Sequence, residues 1–346
     1  MGDDWSLPTF KSLELGALFP RRVFRAFACV ALILGPWCAV AQNSTESSSN
    51  EPLAALGELV DSGRISEAER IVKQTLPNSA MEPAQSGFLR ISVYDFAWAL
   101  VGYSYLGAND YANAERLGKE RLQVEASADQ KSEHLPTFLM LMADVYRLQS
   151  KHAAAAPLYQ QMYRLWSDDK LSADFIDNTL VALAECYIAL GRQAEAVQIL
   201  TPAKNPDGSD AGIAFHEQMY NAYAVALESA GRKAEATHLG AVIDAQSRRQ
   251  PAANQQDREL FRARLLSAEG SYAKADAIYQ KWIKYWESSS APPSIDAKES
   301  LEIRTQALAE YTHFLSRRGR SGEAKAARAR WKAMGCGLGK GKCGWR

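Results

Sequence analysis

Residues 180–200, LVALAECYIALGRQAEAVQIL, carry the pattern that most restricts how this chain folds. Their apolar residues recur at the spacing of one helical face, as Leu180, Leu183, Ala184 and Tyr187 show. Gly191 predicts the end of that helix, because glycine readily adopts the left-handed conformation of a helix C-cap. A second helix follows at once and carries the small residues Ala194 and Ala196, where two backbones lie close. The stretch therefore predicts a helix–turn–helix hairpin.

This hairpin pattern recurs seven times, and an alanine of each second helix marks its register. The seven alanines are Ala68, Ala114, Ala155, Ala196, Ala236, Ala275 and Ala324. Successive alanines are 46, 41, 41, 40, 39 and 49 residues apart. A near-constant interval is typical of a solenoid, in which each hairpin buries its apolar face against its neighbours. The Ser- and Pro-containing residues 287–297 predict a loop before the last hairpin.

Small and large residues are paired in the first helices. The small residues Gly102, Ala143, Ala184 and Ala224 are expected to let neighbouring helices approach, with large side chains filling the space beside them. Most of the Trp and Tyr residues at these and nearby positions are expected in the core: Trp98, Tyr105, Tyr146, Tyr159, Tyr187 and Trp282.

The second hairpin resembles the tetratricopeptide repeat (TPR) family most closely. Trp98, Val101, Gly102 and Tyr105 match its W-x2-L-G-x2-Y first helix, and Ala114 stands where the family keeps a small residue. Over residues 53–332 the resemblance implies an all-α, right-handed solenoid of about seven hairpins. The interval of about 40 residues exceeds the family's 34 and indicates a longer-period variant, as in kinesin light chain, or a related helical solenoid.

The family resemblance also implies that the first helices line a concave groove that binds a peptide or a partner helix. The candidate groove residues, expected on exposed turns, are Tyr103, Met140, Asp144, Arg147, Val181, Glu185, Asn221 and Glu228. The Lys and Asn clamp that some family members use for a terminal carboxylate is absent, because Asp144 and Glu185 stand in that row. The acidic side chains favour a mixed or basic partner segment. The alternative interpretation is that these residues are solvated polar positions without a partner.

The N-terminal region has the layout of a secretory signal peptide. Arg21, Arg22 and Arg25 precede an apolar run, and Ala39-Val40-Ala41 fits a cleavage pattern. Residues 1–41 are therefore predicted to direct export to the periplasm or the medium, by a twin-arginine or a general route. An uncleaved anchor is the alternative. Residues 42–52 are predicted to be a flexible linker.

The charges are balanced overall, with 40 basic and 40 acidic residues, but the C-terminus is basic. Residues 317–346 hold ten basic residues and one acid, which indicates a solvated helix end followed by a basic tail. Contact with a membrane surface, an anionic polymer or the protein's own acidic face is the alternative. The Gly- and Lys-rich tail, residues 333–346, contains Cys336 and Cys343. In an oxidising compartment these two cysteines are predicted to form a disulfide that ties the tail.

Sequence motifs for catalysis are absent. The five histidines, His134, His152, His216, His238 and His313, show no metal-ligand spacing, and no phosphate-binding or dinucleotide-binding motif occurs. We therefore expect no catalytic residues, metal, cofactor, small-molecule substrate or nucleic acid. The sequence predicts a non-catalytic protein–protein interaction scaffold. A membrane-anchored adaptor and an enzyme whose site is assembled across hairpins are the alternatives.

Overall fold

A computed structural model of the protein describes residues 56–60, 62–75, 93–126, 135–168, 173–201, 217–246, 251–288 and 297–336. The described residues form fourteen helices and no strand, which confirms the predicted all-α fold for these parts of the chain. The predicted signal segment, the linker 42–52 and Cys343 lie outside them. Residues 333–336 of the predicted tail are described, as the end of the last helix.

The helices follow one another in pairs, separated within each pair by a tight turn. The first helices of the pairs are α1 (residues 56–60), α3 (Val93–Gly107), α5 (Leu135–Leu148), α7 (Ala173–Ala189), α9 (Glu217–Ser229), α11 (Pro251–Ala268) and α13 (Ala297–Arg317). The second helices are α2 (Ile65–Thr75), α4 (Tyr111–Ala126), α6 (His152–Asp168), α8 (Gln193–Leu200), α10 (Lys233–Gln246), α12 (Tyr272–Ser288) and α14 (Ser321–Cys336). The predicted loop over 287–297 is therefore too long at both ends, because α12 continues to Ser288 and α13 begins at Ala297.

The chain divides into two compact units, residues 1–77 and 78–346. In the first unit, Leu56, Val60, Ala68 and Val72 of α1 and α2 are buried. In the second unit, each second helix through α12 packs against the following first helix. First helices also pack against first helices, in the pairs α3–α5, α7–α9, α9–α11 and α11–α13. Helix α7 additionally contacts α11, although a whole hairpin lies between them in the sequence.

Every described turn within a hairpin contains one residue in the left-handed backbone conformation. Five of these residues are glycines, with φ from 71° to 84°: Gly63, Gly191, Gly231, Gly270 and Gly319. The other two are Asn109 (φ 61°) and Ser150 (φ 59°). The amide of the next residue donates to the carbonyl five positions earlier, as Arg192 does to Tyr187 at 2.8 Å. This is the hydrogen bond of a Schellman C-cap, and it confirms the predicted end of α7 at Gly191.

The register alanines follow the left-handed residue by five positions in all seven hairpins. Six of them are at most 5% exposed, which confirms their predicted packing positions. Ala236 of α10 is only half-buried. The α9–α10 hairpin has a small apolar cluster, formed by Tyr220 and Ile243 with Leu239 and Val242 beside them.

The predicted close approach of the first helices is clear at Gly102. A Cβ atom at this position would lie 2.5 Å from Cδ2 of Leu141, so any larger residue would have to displace the leucine or α5. The predicted core aromatics are buried, with the exception of Tyr146. Tyr146 is half-buried, and the Lys151 ammonium lies 5.7 Å from its ring centroid.

Candidate functional site

The predicted groove residues are less accessible than the sequence suggested. Five of them are buried: Tyr103, Met140, Asp144, Glu185 and Asn221. The prediction that these side chains lie on exposed turns is therefore wrong. The remaining three, Arg147, Val181 and Glu228, are half-buried. The physical reason for the burial is that most of the polar members bind side chains from other helices, as described next.

The carboxylate of Asp144 on α5 is enclosed by three donors. Tyr103 Oη donates to Oδ2 at 3.0 Å, and Tyr159 Oη donates to Oδ1 at 2.6 Å. Arg147 Nη2 also donates to Oδ1, at 2.9 Å, while its Nε donates to Tyr159 Oη at 2.9 Å. Burial and the adjacent carboxylate raise the pKa of both tyrosines well above the usual value. The tyrosines therefore stay protonated and act as fixed hydrogen-bond donors to Asp144.

Alternating charges continue from Asp144 across the first helices. Arg147 Nη1 donates to Glu185 Oε2 of α7 at 3.1 Å. Arg264 of α11 places Nε 3.5 Å from the same oxygen, and its Nη1 donates to Glu310 Oε1 of α13 at 3.0 Å. We call these five residues the ionic row. It connects α5, α7, α11 and α13 through charge-assisted contacts between buried or half-buried groups.

Glu185 and Arg147 of the ionic row keep their charges at neutral pH. Burial raises the pKa of Glu185, but Arg147 and Arg264 lower it further, so the pKa lies below its ordinary value. Burial likewise opposes the charge of Arg147, and its tyrosine and carboxylate neighbours raise the pKa well above the ordinary value. Each ion is therefore stabilised by its neighbours rather than by water. The row is suited to fixing the positions of helices, because its contacts join buried or half-buried groups of four helices.

A second polar contact joins α9, α10 and α11. Arg258 of α11 donates through Nη1 to Asn221 Oδ1 at 3.1 Å, and through Nη2 to the Asp244 carboxylate at 3.0 Å. Its guanidinium also lies over Gly240, where a Cβ would sit 3.7 Å from the guanidinium carbon. The interface between α10 and α11 is thus largely polar. Nearby, Arg262 of α11 forms a half-exposed ion pair with Glu228 of α9.

Four hairpin turns carry the same exposed ion pair, which the sequence analysis missed. The pairs are Arg64–Glu67, Arg192–Glu195, Arg232–Glu235 and Arg320–Glu323, each with Nη2 within 2.6 Å of Oε2. The arginine follows the turn glycine directly, and the glutamate lies in the first turn of the second helix, where a negative charge is favoured. The repeated sequence G-R-x-x-E-A was the signal that could have identified these pairs.

Burial also shifts the pKa values of Cys186, His152 and His313. Burial raises the pKa of the Cys186 thiol far above its ordinary value, as expected for the predicted buried cysteine. Burial lowers the pKa of His152, and burial with the Arg317 and Arg147 charges lowers that of His313 to about 3. Among the residues with described positions, no group of three His, Cys, Asp or Glu side chains could hold a metal ion.

A helix that crosses a membrane must be both long and apolar. Within the described part of the chain, no helix combines the length and the apolar character needed to cross a membrane.

The predicted disulfide between Cys336 and Cys343 stays a prediction, because Cys343 lies outside the described residues.

Comparison of the chain with models of known families, with curated proteins and with solved structures finds no match in any of the three.

Proposed function

We propose that the protein is an exported interaction scaffold, a TPR-like solenoid that binds a peptide or partner helix on its first helices. The observation that carries this proposal is the repetition of one hairpin. All seven described turns place one residue in the left-handed conformation, at the same five-residue spacing from the register alanine. Hairpins that repeat in this way stabilise one another by stacking and present a row of similar helices to a partner.

The accessible part of the proposed face consists of the half-buried residues Arg147, Val181 and Glu228, with Arg262 beside Glu228. Because both charges of the Glu228–Arg262 pair are partly exposed, a partner of mixed charge can bind there by exchanging ion pairs. The ionic row beneath fixes the first helices relative to one another. Such preorganisation lowers the entropy that the scaffold loses when the partner binds.

Residues 1–41 are the basis for the proposed export. Immunoblots of whole cells and of periplasmic extract would compare the precursor with the mature chain. Cleavage removes about 40 residues, since the A-x-A pattern ends at Ala41. A full-length product in the membrane fraction would instead favour an anchored adaptor, and a full-length product in the cytosol would contradict export.

Site-specific photocrosslinking in cells tests the proposed face. A photoreactive amino acid at Val181 or Glu228 is expected to give the same crosslinked partner band. Glu235 and His238 of α10 are the control positions, because both are exposed and lie on a second helix. Identical bands from these control positions, or no band from Val181 and Glu228, would contradict the proposed binding face. The charge-reversing substitution Glu228→Lys should weaken partner binding and therefore the crosslink, because it places a lysine against the like charge of Arg262.

A further inference from the structure

A contact between Ser150 and Arg317 joins two parts of the second unit that are 167 residues apart. Arg317 Nη2, at the end of α13, donates to Ser150 Oγ at 2.5 Å. Ser150 occupies the left-handed turn position that is glycine in five other hairpins. Both residues are exposed. The serine hydroxyl and the guanidinium therefore lie together at the surface, directly before the N-terminus of α6.

A buried histidine lies behind this contact. His152 is the first residue of α6 and is only 7% exposed, yet neither ring nitrogen has a hydrogen-bond partner. Buried polar atoms in proteins are nearly always paired, and an unpaired one is destabilising. The imidazole interacts electrostatically with Glu185, Arg147 and Arg317. The ring thus interacts electrostatically with the ionic row and with the exposed Arg317, and its nitrogens form no hydrogen bond to either.

A second histidine approaches the same place from α13. His313 lies one helical turn before Arg317, and its Nε2 also has no hydrogen-bond partner. It interacts electrostatically with Arg317 and with Arg147. Two imidazoles with unpaired nitrogens therefore share the same two arginine neighbours.

Arg317 supplies a cationic hydrogen-bond donor at this place. The carboxylates of the ionic row are already paired with Arg147 and Arg264. Arg317 forms no ion pair with any carboxylate whose position is described. The 17-residue helix α6 adds the partial positive charge of its N-terminus. Arg317 interacts electrostatically with Glu185 without forming an ion pair with it, so its guanidinium and the neutral imidazoles offer donors that no described carboxylate accepts.

We propose that Ser150, His152, His313 and Arg317 form a binding site for a phosphate-type oxyanion at the N-terminus of α6. The guanidinium of Arg317 pairs with two oxygens of the anion, and the Ser150 hydroxyl donates a third hydrogen bond. Each neutral imidazole supplies an N–H that has no acceptor in the protein. The phosphate group is either free or carried as a monoester by a larger molecule. The site does not depend on the proposed partner-binding face.

Nuclear magnetic resonance of the full chain tests the site. Inorganic phosphate is titrated at constant ionic strength, with chloride as the exchanged anion, while the imidazole signals are followed. The expected result is a saturable shift of His152 and His313 without a comparable shift of the exposed His238. A bound anion should also raise the pKa of both shifted histidines. Equal shifts at His238, or shifts that do not saturate, would overturn the proposal.

Two variants and one control make the test specific. Arg317→Gln should weaken phosphate binding by at least about tenfold, because it removes the charged donor. Ser150→Gly keeps the left-handed turn, which glycine favours, and should weaken binding by about threefold or more. Arg328→Gln removes an exposed arginine of α14 and should leave binding unchanged. Unchanged affinity in Arg317→Gln, with the helical circular dichroism preserved, would overturn the site.

A second titration distinguishes the two sources of phosphate. The probe is a capped phosphoserine, compared with inorganic phosphate on the same protein. Binding at least about tenfold tighter by the monoester, a gain of about 1.4 kcal/mol, identifies a phosphorylated partner or metabolite. Similar affinities identify free phosphate as the ligand. Failure of both probes contradicts the site and leaves the crosslinking test of the scaffold unaffected.

Discussion

Arg147 Nη1 lies 3.1 Å from Glu185 Oε2, and this ion pair joins α5 to α7 across 38 residues of sequence. Removing the carboxylate by Glu185→Gln leaves Arg147 and Arg264 partly buried without their shared anion. The free energy of unfolding should fall by about 3 kcal/mol, as expected when one partner of a buried pair is removed. Urea denaturation followed by helical circular dichroism measures the change.

The exposed pair Arg232–Glu235 provides the matched control for this prediction. Glu235→Gln makes the same chemical change where both side chains are solvated, so the unfolding midpoint should stay within error of the parent protein. Equal destabilisation by the two substitutions would mean that the ionic row contributes no more than a surface pair.

Adding a single methyl group at Gly102 should lower the free energy of unfolding. A Cβ at this position lies 2.5 Å from Leu141 Cδ2 and 3.1 Å from Cδ1, so Gly102→Ala must displace α5 or the leucine. We expect a loss of about 1–3 kcal/mol in the free energy of unfolding, as for other overpacked cores. Gly322→Ala in α14 is the control, since no atom lies within 4 Å of its Cβ position. That substitution should stabilise the protein by about 0.5 kcal/mol.

Gly191→Ala should destabilise the protein through the left-handed backbone, and not through crowding as at Gly102. The φ of Gly191 is 75°, and no atom lies within 4 Å of an added Cβ, so the penalty of Gly191→Ala comes from the backbone alone. The loss should be about 1–2 kcal/mol in thermal or urea unfolding. Gly107→Ala, near the end of α3 and without a positive φ, should cost nothing or stabilise slightly. Similar losses in both variants would contradict the turn geometry.

The pKa of His313 predicts a pH dependence of stability. The folded protein lowers this pKa to about 3, while the unfolded chain titrates near 6.5, so the unfolded state binds more protons between these values. The free energy of unfolding should therefore decrease as the pH falls below about 6.5, by up to about 1.4 kcal/mol per pH unit. Urea midpoints measured from pH 7.5 to 5 in phosphate-free buffer give this slope.

Two substitutions assign the slope to its residue. His313→Gln should reduce the slope without removing it, because His152 also has a lowered pKa in the folded protein and remains. His238→Gln removes an exposed histidine and should leave the slope unchanged. A parent protein whose stability is constant over this range would contradict the lowered pKa.

Cys186 should resist thiol reagents in the folded protein. The thiol is fully buried and burial raises its pKa, so the reactive thiolate is scarce at pH 8. Alkylation followed by peptide mass spectrometry should label Cys186 slowly in buffer and rapidly in urea. Rapid labelling of Cys186 without denaturant would show that α7 opens readily.

The turns show how far local sequence determines this fold. Gly191 and the other turn glycines predict their left-handed geometry, because few other residues adopt it at low cost. Asn109 and Ser150 adopt the same conformation in their hairpins, and the sequence analysis assigned them no such role. The position five residues before each register alanine was the available signal. It is visible in sequence only when all seven hairpins are aligned on those alanines.

The candidate groove shows where local sequence fails. Asp144 and Glu185 were expected to be exposed, because the family resemblance implies that these turns of the first helices line an open groove. Their actual neighbours, Arg147, Arg264 and Tyr159, come partly from other helices, and burial is decided by those partners. Helical periodicity describes one helix at a time. It therefore predicted the hairpins and could not predict the ionic row that connects them.

The ionic row limits how a chain of this kind can evolve. Because every hairpin uses the same turn, duplicating or losing one hairpin would leave the local folding rules intact. Between α5 and α13, however, such a change would move Arg264 out of reach of Glu185 or Glu310. Gain and loss of hairpins is therefore expected near the ends of the array, with a constant copy number in the segment that the row spans.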